Sequence, residues 1–411
     1  LKIGILVNDT SPEAGGGFTF VNEIVRALAA AKGSRHEFVV LTLSDPTRHR
    51  DAFEGLPALS LAAAAPAATL ATRIEAGLRR RAGRLLGAAP RPGDLPVNPA
   101  ADALLTANGI DVIWYPSAWE CITAEIPFIT TVWDLQHRRQ PYFPEVSDDG
   151  RWSYRERWMS AFLRRAALVI AGTAVGRDEI ESSYGVPRER IRLLPHPTPS
   201  FMAEARSSQP ARVVEGDYLF YPAQFWPHKN HVNLLHALRL LRDRGLDLSL
   251  ALTGSDKGNL PFIRDTAARL GLTPHVRWLG FVTNDQLISL YRHAAALTYV
   301  TFFGPENLPP LEAFAAGCPV VASDVAGARE QLADAALLVD PRRPEEIAAA
   351  VERLRADPTL RAALIERGFE RARRSTPAGF VAAVIAWLDD FEGVRRNWPS
   401  GVYPAGKGSL P

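Results

Sequence analysis

The sequence predicts an α/β protein built from two doubly wound domains that face each other across a cleft. Three observations predict it. The chain has 411 residues, about twice the size of one domain. It opens with an apolar run at 3–7, a polar loop at 8–17 ending in Gly15, Gly16 and Gly17, and a helical pattern at 18–31, which is how a parallel α/β sheet begins. The same alternation of strand and helix patterns then stops at 194–216, a stretch rich in Pro, Ser and charge, and restarts beyond it.

Within the first half, further short apolar runs at 38–43, 112–115, 129–132 and 168–171 read as buried strands, with helical patterns between most of them. After the linker the strands recur at 218–221, 248–252, 276–279, 296–300, 320–322 and 337–339, and a helix is expected at about 232–242. The resulting division is a first domain at 1–195, a linker at 196–216, a second domain at 217–393 and an irregular Gly/Pro-rich tail at 394–411. Two sheets arranged this way bind ligands beyond the carboxyl ends of their strands, hence in the cleft.

Composition removes several classes of function. With 47% hydrophobic and 22% charged residues the chain is an ordinary globular protein rather than a disordered one. A net charge of +2 gives no reason to expect nucleic acid as a partner. Only Cys121 and Cys318 occur, each within an apolar stretch, which argues against a disulfide framework or a cysteine metal site and fits a reducing cytoplasm. The alanine-rich run at 59–70 is broken by Pro66 and is too short to span a bilayer, and no secretory signal is visible. The segment from Arg73 to Arg91 carries six arginines against Glu75, with leucines interleaved. It reads either as a basic amphipathic helix lying on the inner face of a membrane or as a solvated helix on a hairpin.

The residue types that carry chemistry concentrate in the second half. Pro309 and Pro310 fall where a helix begins, a position at which a missing N–H is harmless. The reading places Glu312 in that first turn, near the positive helix end, where a carboxylate either faces a ligand or merely complements the dipole. Asn307 and Leu308 are expected to point backbone N–H groups at an anion. Lys229 sits on the loop after the first strand of the second domain, where a lysine is either a cation facing the cleft or only a solubilising surface charge.

The stretches 225–230 (FWPHKN), 276–282 (VRWLGFV), 284–291 (NDQLISLY), 308–322 (LPPLEAFAAGCPVVA) and 323–330 (SDVAGARE) together resemble the retaining glycosyltransferases of family 4, whose two-domain architecture is called GT-B. The first half resembles them only in outline, through the glycine triplet and 133–144 (WDLQHRRQPYFP). The resemblance implies transfer of a hexose from a nucleoside-diphosphate sugar, GDP-mannose as a first guess, to a saccharide or lipid-linked glycan. No metal or other cofactor is implied. Donor contacts are implied at Gly16, Gly17, Gln224, His228, Lys229, Gly254, Gly280, Phe281, Val282, Glu306, Asn307, Leu308 and Glu312. Lys229, Glu312 and His137 would carry the catalysis.

Three positions depart from the family pattern. Gln224 stands where a second phosphate-facing arginine is expected, and Gly304 stands where a glutamate would contact the sugar hydroxyls, with Glu306 two residues later. Trp133 occupies the place of a histidine, so that a histidine role near the sugar is either lost or moved to His137. These departures keep two other readings open: a nucleotide-sugar epimerase of the same architecture, and a sugar- or nucleotide-binding protein without catalysis.

Overall fold

The structure is a computed structural model, and it describes residues 1–7, 15–31, 33–43, 55–62, 95, 98–118, 121–203 and 205–402. Most of the loop at 8–17 and the whole Arg73–Arg91 segment lie outside the described residues. Two parallel sheets form the framework. The first contains β1 (Lys2–Val7), β2 (Glu37–Thr42), β3 (Ala58–Ser60), β4 (Val112–Tyr115), β5 (Phe128–Val132), β6 (Leu168–Ala171) and β7 (Ile191–Leu193) in the order β3-β2-β1-β4-β5-β6-β7. The second contains β8 (Tyr218–Pro222), β9 (Ser249–Thr253), β10 (Val276–Gly280), β11 (Ala296–Tyr299), β12 (Val320–Ser323) and β13 (Ala336–Val339) in the order β10-β9-β8-β11-β12-β13.

β4 and β6 are buried on both faces, which is why they read as unbroken apolar runs rather than alternating ones, while β1 and β5 are buried likewise but include Gly4, and Thr130 and Thr131, within the run. β3 and β7 were not expected. Each has only three residues and lies at a sheet edge, too short to give a periodic signal.

The faces of the first sheet are covered differently. Leu6, Ile113, Tyr115, Phe128 and Val169 pack on one side with the helix Arg151–Arg165 through Phe162 and Leu163. On the other side Ile3, Ile5, Trp114, Ile129 and Ile170 meet the helix Gly16–Ala30 and the last helix, Pro377–Arg395.

The sequence reading assigned that last helix to the second domain, up to 393. Its apolar stripe Phe380, Val381, Val384 and Leu388 instead completes the core of the first sheet, with Phe380 against Phe20 at a ring separation of 5.5 Å. The helix is fastened there by Arg395, 1% exposed, whose guanidinium donates to the carbonyls of Asp111, Trp398 and Pro399 and pairs with the Asp111 carboxylate at 3.1 Å. The tail is thereby held along the first domain as far as Gly401, whose N–H donates to the Ile110 carbonyl. Helical periodicity shows that a stripe will be buried but not which sheet will bury it. Among the described residues no helix is long and apolar enough to cross a membrane.

Candidate active site

In both sheets the strand order reverses beside the first strand, between β1 and β4 and between β8 and β11. Loops leaving adjacent strands at such a point diverge to opposite faces and leave a crevice. In the second domain the loops after β8, β9, β10 and β11 open there, and they face the start of the helix Gly16–Ala30 and the end of β5. The space enclosed is about 560 Å³, large enough for a nucleotide sugar. Gly16, Gly17, Gln224, His228, Lys229, Gly254, Gly280, Phe281, Val282, Glu306, Asn307, Leu308 and Glu312 all line it.

Lys229 ends a short 3₁₀ turn, Pro227–Lys229, and Asn230 follows in the left-handed region at φ 59°. The buried Asn230 amide donates to the carbonyls of Val300 and Pro341, and the Tyr221 hydroxyl donates to the Lys229 carbonyl at 2.6 Å. The backbone under Lys229 is therefore tied to three neighbouring segments. Its ammonium donates to the Tyr299 hydroxyl at 3.0 Å, and that hydroxyl donates to Asn307 Oδ1 at 3.1 Å. Among the described residues no carboxylate pairs with Lys229, so its charge is directed into the cleft.

The helix Leu308–Ala316 requires two corrections. Asn307 precedes it, but the Asn307 N–H donates to Gln331 Oε1 at 3.0 Å, and Gln331 Nε2 returns a bond to the Asn307 carbonyl at 2.8 Å. Because Pro309 and Pro310 have no N–H, Leu308 alone contributes a free donor in the first turn. Glu312 is the fifth residue of the helix, so it lies in the second turn, beyond the groups that carry the positive helix end. Its carboxyl, 6% exposed, accepts from the Tyr291 hydroxyl at 2.7 Å. Burial pushes its pKa up to about 7, against the lowering effect of the tyrosine bond.

Gly304 explains why no glutamate stands at that position. It has φ +134°, a conformation that side-chain-bearing residues rarely adopt, and a Cβ there would press against the Asn307 amide. Two residues further on, Glu306 turns toward the first domain. Its side chain, 4% exposed, accepts from the His196 N–H at 2.9 Å and packs directly on Gly172, at the end of β6. Burial raises its pKa to about 8, outweighing the His196 bond. His196 is itself held neutral, its pKa pushed down to about 4 by burial. Gln224, in the place of an arginine, accepts from Trp226 Nε1 at 2.9 Å and donates to Ser255 at 3.3 Å.

His137 does not reach the cleft. It is fully buried behind β5, with Nε2 at 3.1 Å from the Tyr184 hydroxyl and 3.3 Å from Glu156 Oε2, and burial lowers its pKa. The cleft residues from that segment are Trp133 and Asp134, and the Trp133 ring lies over Gly17 so closely that any side chain at 17 would collide with it. Residues that sequence reasoning missed are Tyr299, Gln331, His196 and Glu145. A tyrosine in a strand and a glutamine in a helix give no local signal of a role, since only the fold brings them to the site.

Two parallel sheets with opposed strand-end loops, and a cleft that gathers a lysine, a helix start and a carboxyl from the second, define a two-domain α/β protein of the GT-B architecture. The chain belongs to the group 1, family 4 glycosyltransferases. The model "Glycosyltransferase Family 4" matches residues 14–200 and "Glycosyl transferases group 1" matches residues 203–371. Among curated relatives, the O-antigen chain mannosyltransferase B of Escherichia coli is 27% identical over 56% of this chain and 62% of its own. A D-inositol 3-phosphate glycosyltransferase of Pseudarthrobacter chlorophenolicus is 31% identical over 58% of this chain and 59% of its own. The chain thus spans about three fifths of the length of these relatives. Among solved structures, Anabaena HepE in complex with UDP and glucose superposes with a TM-score of 0.68 at 16% identity, covering 95% of this chain and all of that one. WaaG, a glycosyltransferase involved in lipopolysaccharide biosynthesis, gives 0.65 at 15% identity, covering 94% and 99%.

Proposed function

We propose that this protein transfers a hexose, with retention of anomeric configuration, from a nucleoside-diphosphate sugar to a hydroxyl of a saccharide or lipid-linked glycan. The observation that carries the reading is the Lys229–Tyr299–Asn307 chain at the switch point of the second sheet, in the same cleft as Glu312 and the Leu308 N–H. A diphosphate fits between the ammonium and the amide, the ribose reaches the Glu312 carboxyl, and the base lies by Gly280, Phe281 and Val282. As the sugar carbon separates from the diphosphate oxygen, that oxygen keeps the bonding pair and Lys229 meets the growing charge. The acceptor oxygen bonds to the same carbon from the same face, and its proton passes to the departing phosphate. Positioning does the rest, so neither a protein nucleophile nor a metal is required.

The likeness to O-antigen mannosyltransferases supports mannose carried on GDP as the first donor to test, whereas the HepE structure contains UDP. We place the reaction in polysaccharide or lipopolysaccharide assembly on the cytoplasmic side of the membrane, where the Arg73–Arg91 segment would give peripheral contact. The test is incubation with GDP-, UDP-, dTDP- and ADP-sugars, with and without mannosides and glucosides as acceptors, in the presence of EDTA. A new glycosidic linkage with the donor's anomeric configuration supports the proposal. An epimerised donor formed without acceptor would indicate an isomerase, and no turnover of any donor would favour a binding protein.

A further inference from the structure

His228, next to Lys229 on the cleft wall, is gripped from the other domain. Glu145, on the short helix Pro144–Ser147 of the first domain, accepts from the His228 backbone N–H at 3.2 Å and lies 2.6 Å from His228 Nδ1 with the same oxygen, Oε1. Both side chains are nearly buried, at 12% and 6% exposure. Burial works against ionisation of Glu145, but the His228 bonds outweigh it and hold its pKa below the ordinary value; burial and Lys229 lower that of His228. The pair is therefore a carboxylate and a neutral imidazole that donates Nδ1–H. This fixes the tautomer and leaves Nε2 as the nitrogen outside that bond, on a ring that lines the cleft. Among the described residues Glu145 Oε2 has no hydrogen-bond partner, so the carboxylate keeps acceptor capacity unspent on the protein.

We propose that Glu145 is a positioning residue that acts across the domain boundary, orienting His228 so that its Nε2, once protonated, contacts the donor diphosphate beside Lys229. The inference rests on the glycosyl-transfer reading above. It supplies a second cationic contact where Gln224 provides none. The titratable and charged groups around the ring are Glu145 on its helix, Lys229 and the buried His231 on the His228 side, Asp134 at the end of β5, and Arg151 and Arg155 on the helix Arg151–Arg165, of which Arg151 reaches the Glu145 carbonyl. A diphosphate adds negative charge on the Nε2 side, which favours the imidazolium. The proton comes from solvent and returns to it when the nucleotide leaves.

The experiment is calorimetric titration of UDP and GDP from pH 5.5 to 8.5 into the wild type, His228→Gln, Glu145→Gln and Glu145→Ala, with melting temperatures measured alongside. At pH 6 the wild type should bind the better nucleotide about tenfold more tightly than His228→Gln, which corresponds to about 1.4 kcal/mol. That advantage should vanish as the pH rises past the histidine's titration. Glu145→Ala should lose the same pH-dependent part, and Glu145→Gln, which keeps an acceptor for Nδ1–H, should retain some of it with a midpoint at lower pH. Parallel pH profiles for all four proteins would overturn the inference, as would variants that change only the melting temperature. A wild type that binds neither UDP nor GDP moves the same titration to dTDP and ADP; binding to none of the four would refute the glycosyl-transfer reading and the inference with it, whereas tight but pH-parallel binding refutes the inference alone.

Discussion

Replacing Glu306 by Gln should remove a large part of the protein's pH dependence of stability. The carboxyl is shut between the loop after β11, the His196 N–H and Gly172, and its pKa rises from the usual 4.5 to about 8. Between those two values the unfolded chain has released the proton while the folded protein still holds it. Stability attributable to this group is therefore fully present below pH 4.5 and is lost as pH rises through about 8. Each pH unit in that window lowers the unfolding free energy by about 1.4 kcal/mol, or about 2.7 kcal/mol between pH 5.5 and 7.5. Glutamine is neutral throughout and keeps an oxygen for the His196 N–H. Glu306→Gln should then be more stable than the wild type above pH 8 and show a shallower decline across the window, the remaining slope including Glu312, whose pKa is about 7. Urea denaturation at pH 5.5, 6.5, 7.5 and 8.5 measures this directly. Equal slopes for the two proteins would mean that Glu306 is ionised inside the fold and that the assigned burial is wrong.

Glu312→Ala should weaken nucleotide binding by about 1.5–3 kcal/mol, since hydrogen bonds to a charged group are lost and Tyr291 is left without its partner, and calorimetry with the preferred nucleotide checks it. Lys229→Ala should cost about 1 kcal/mol of stability through the lost Tyr299 bond yet lower kcat by about 10²–10³, because its charge is needed most in the transition state. Steady-state kinetics beside a melting curve separates the two effects, and near-normal kcat would refute the phosphate role. Gly172→Ala should destabilise by about 1–3 kcal/mol because its methyl would occupy the space of the Glu306 carboxyl, and Glu306→Ala in the same chain should restore most of the loss, as a thermal unfolding series would show.

Much of the architecture was legible because buried parallel strands announce themselves: the runs at 112–115 and 168–171 coincide with β4 and β6, apolar on both faces. The positions of Lys229 and Leu308 were legible for a related reason, as each lies within a few residues of a strand end or a helix start that punctuation residues mark. Sequence alone also determined that the first helical turn after Asn307 is poor in donors, since two consecutive prolines remove two N–H groups whatever the fold.

Only the tertiary structure decided which groups share a contact. The expectation for His137 rested on its nearness in sequence to Trp133, but five residues beyond a strand end the chain has already turned away, and the ring is buried against Glu156 and Tyr184. Glu145 and His228 lie 83 residues apart, and Glu306 and Gly172 are no closer to being neighbours in sequence. The last helix shows the same limit, since its stripe, beginning at Phe380, fits a sheet whose contacting residues run from Ile3 to Ile170. Local sequence sets backbone geometry and the side of an element that avoids water. Partner choice depends on the packing of the whole chain, and so do burial and the pKa values that follow from it.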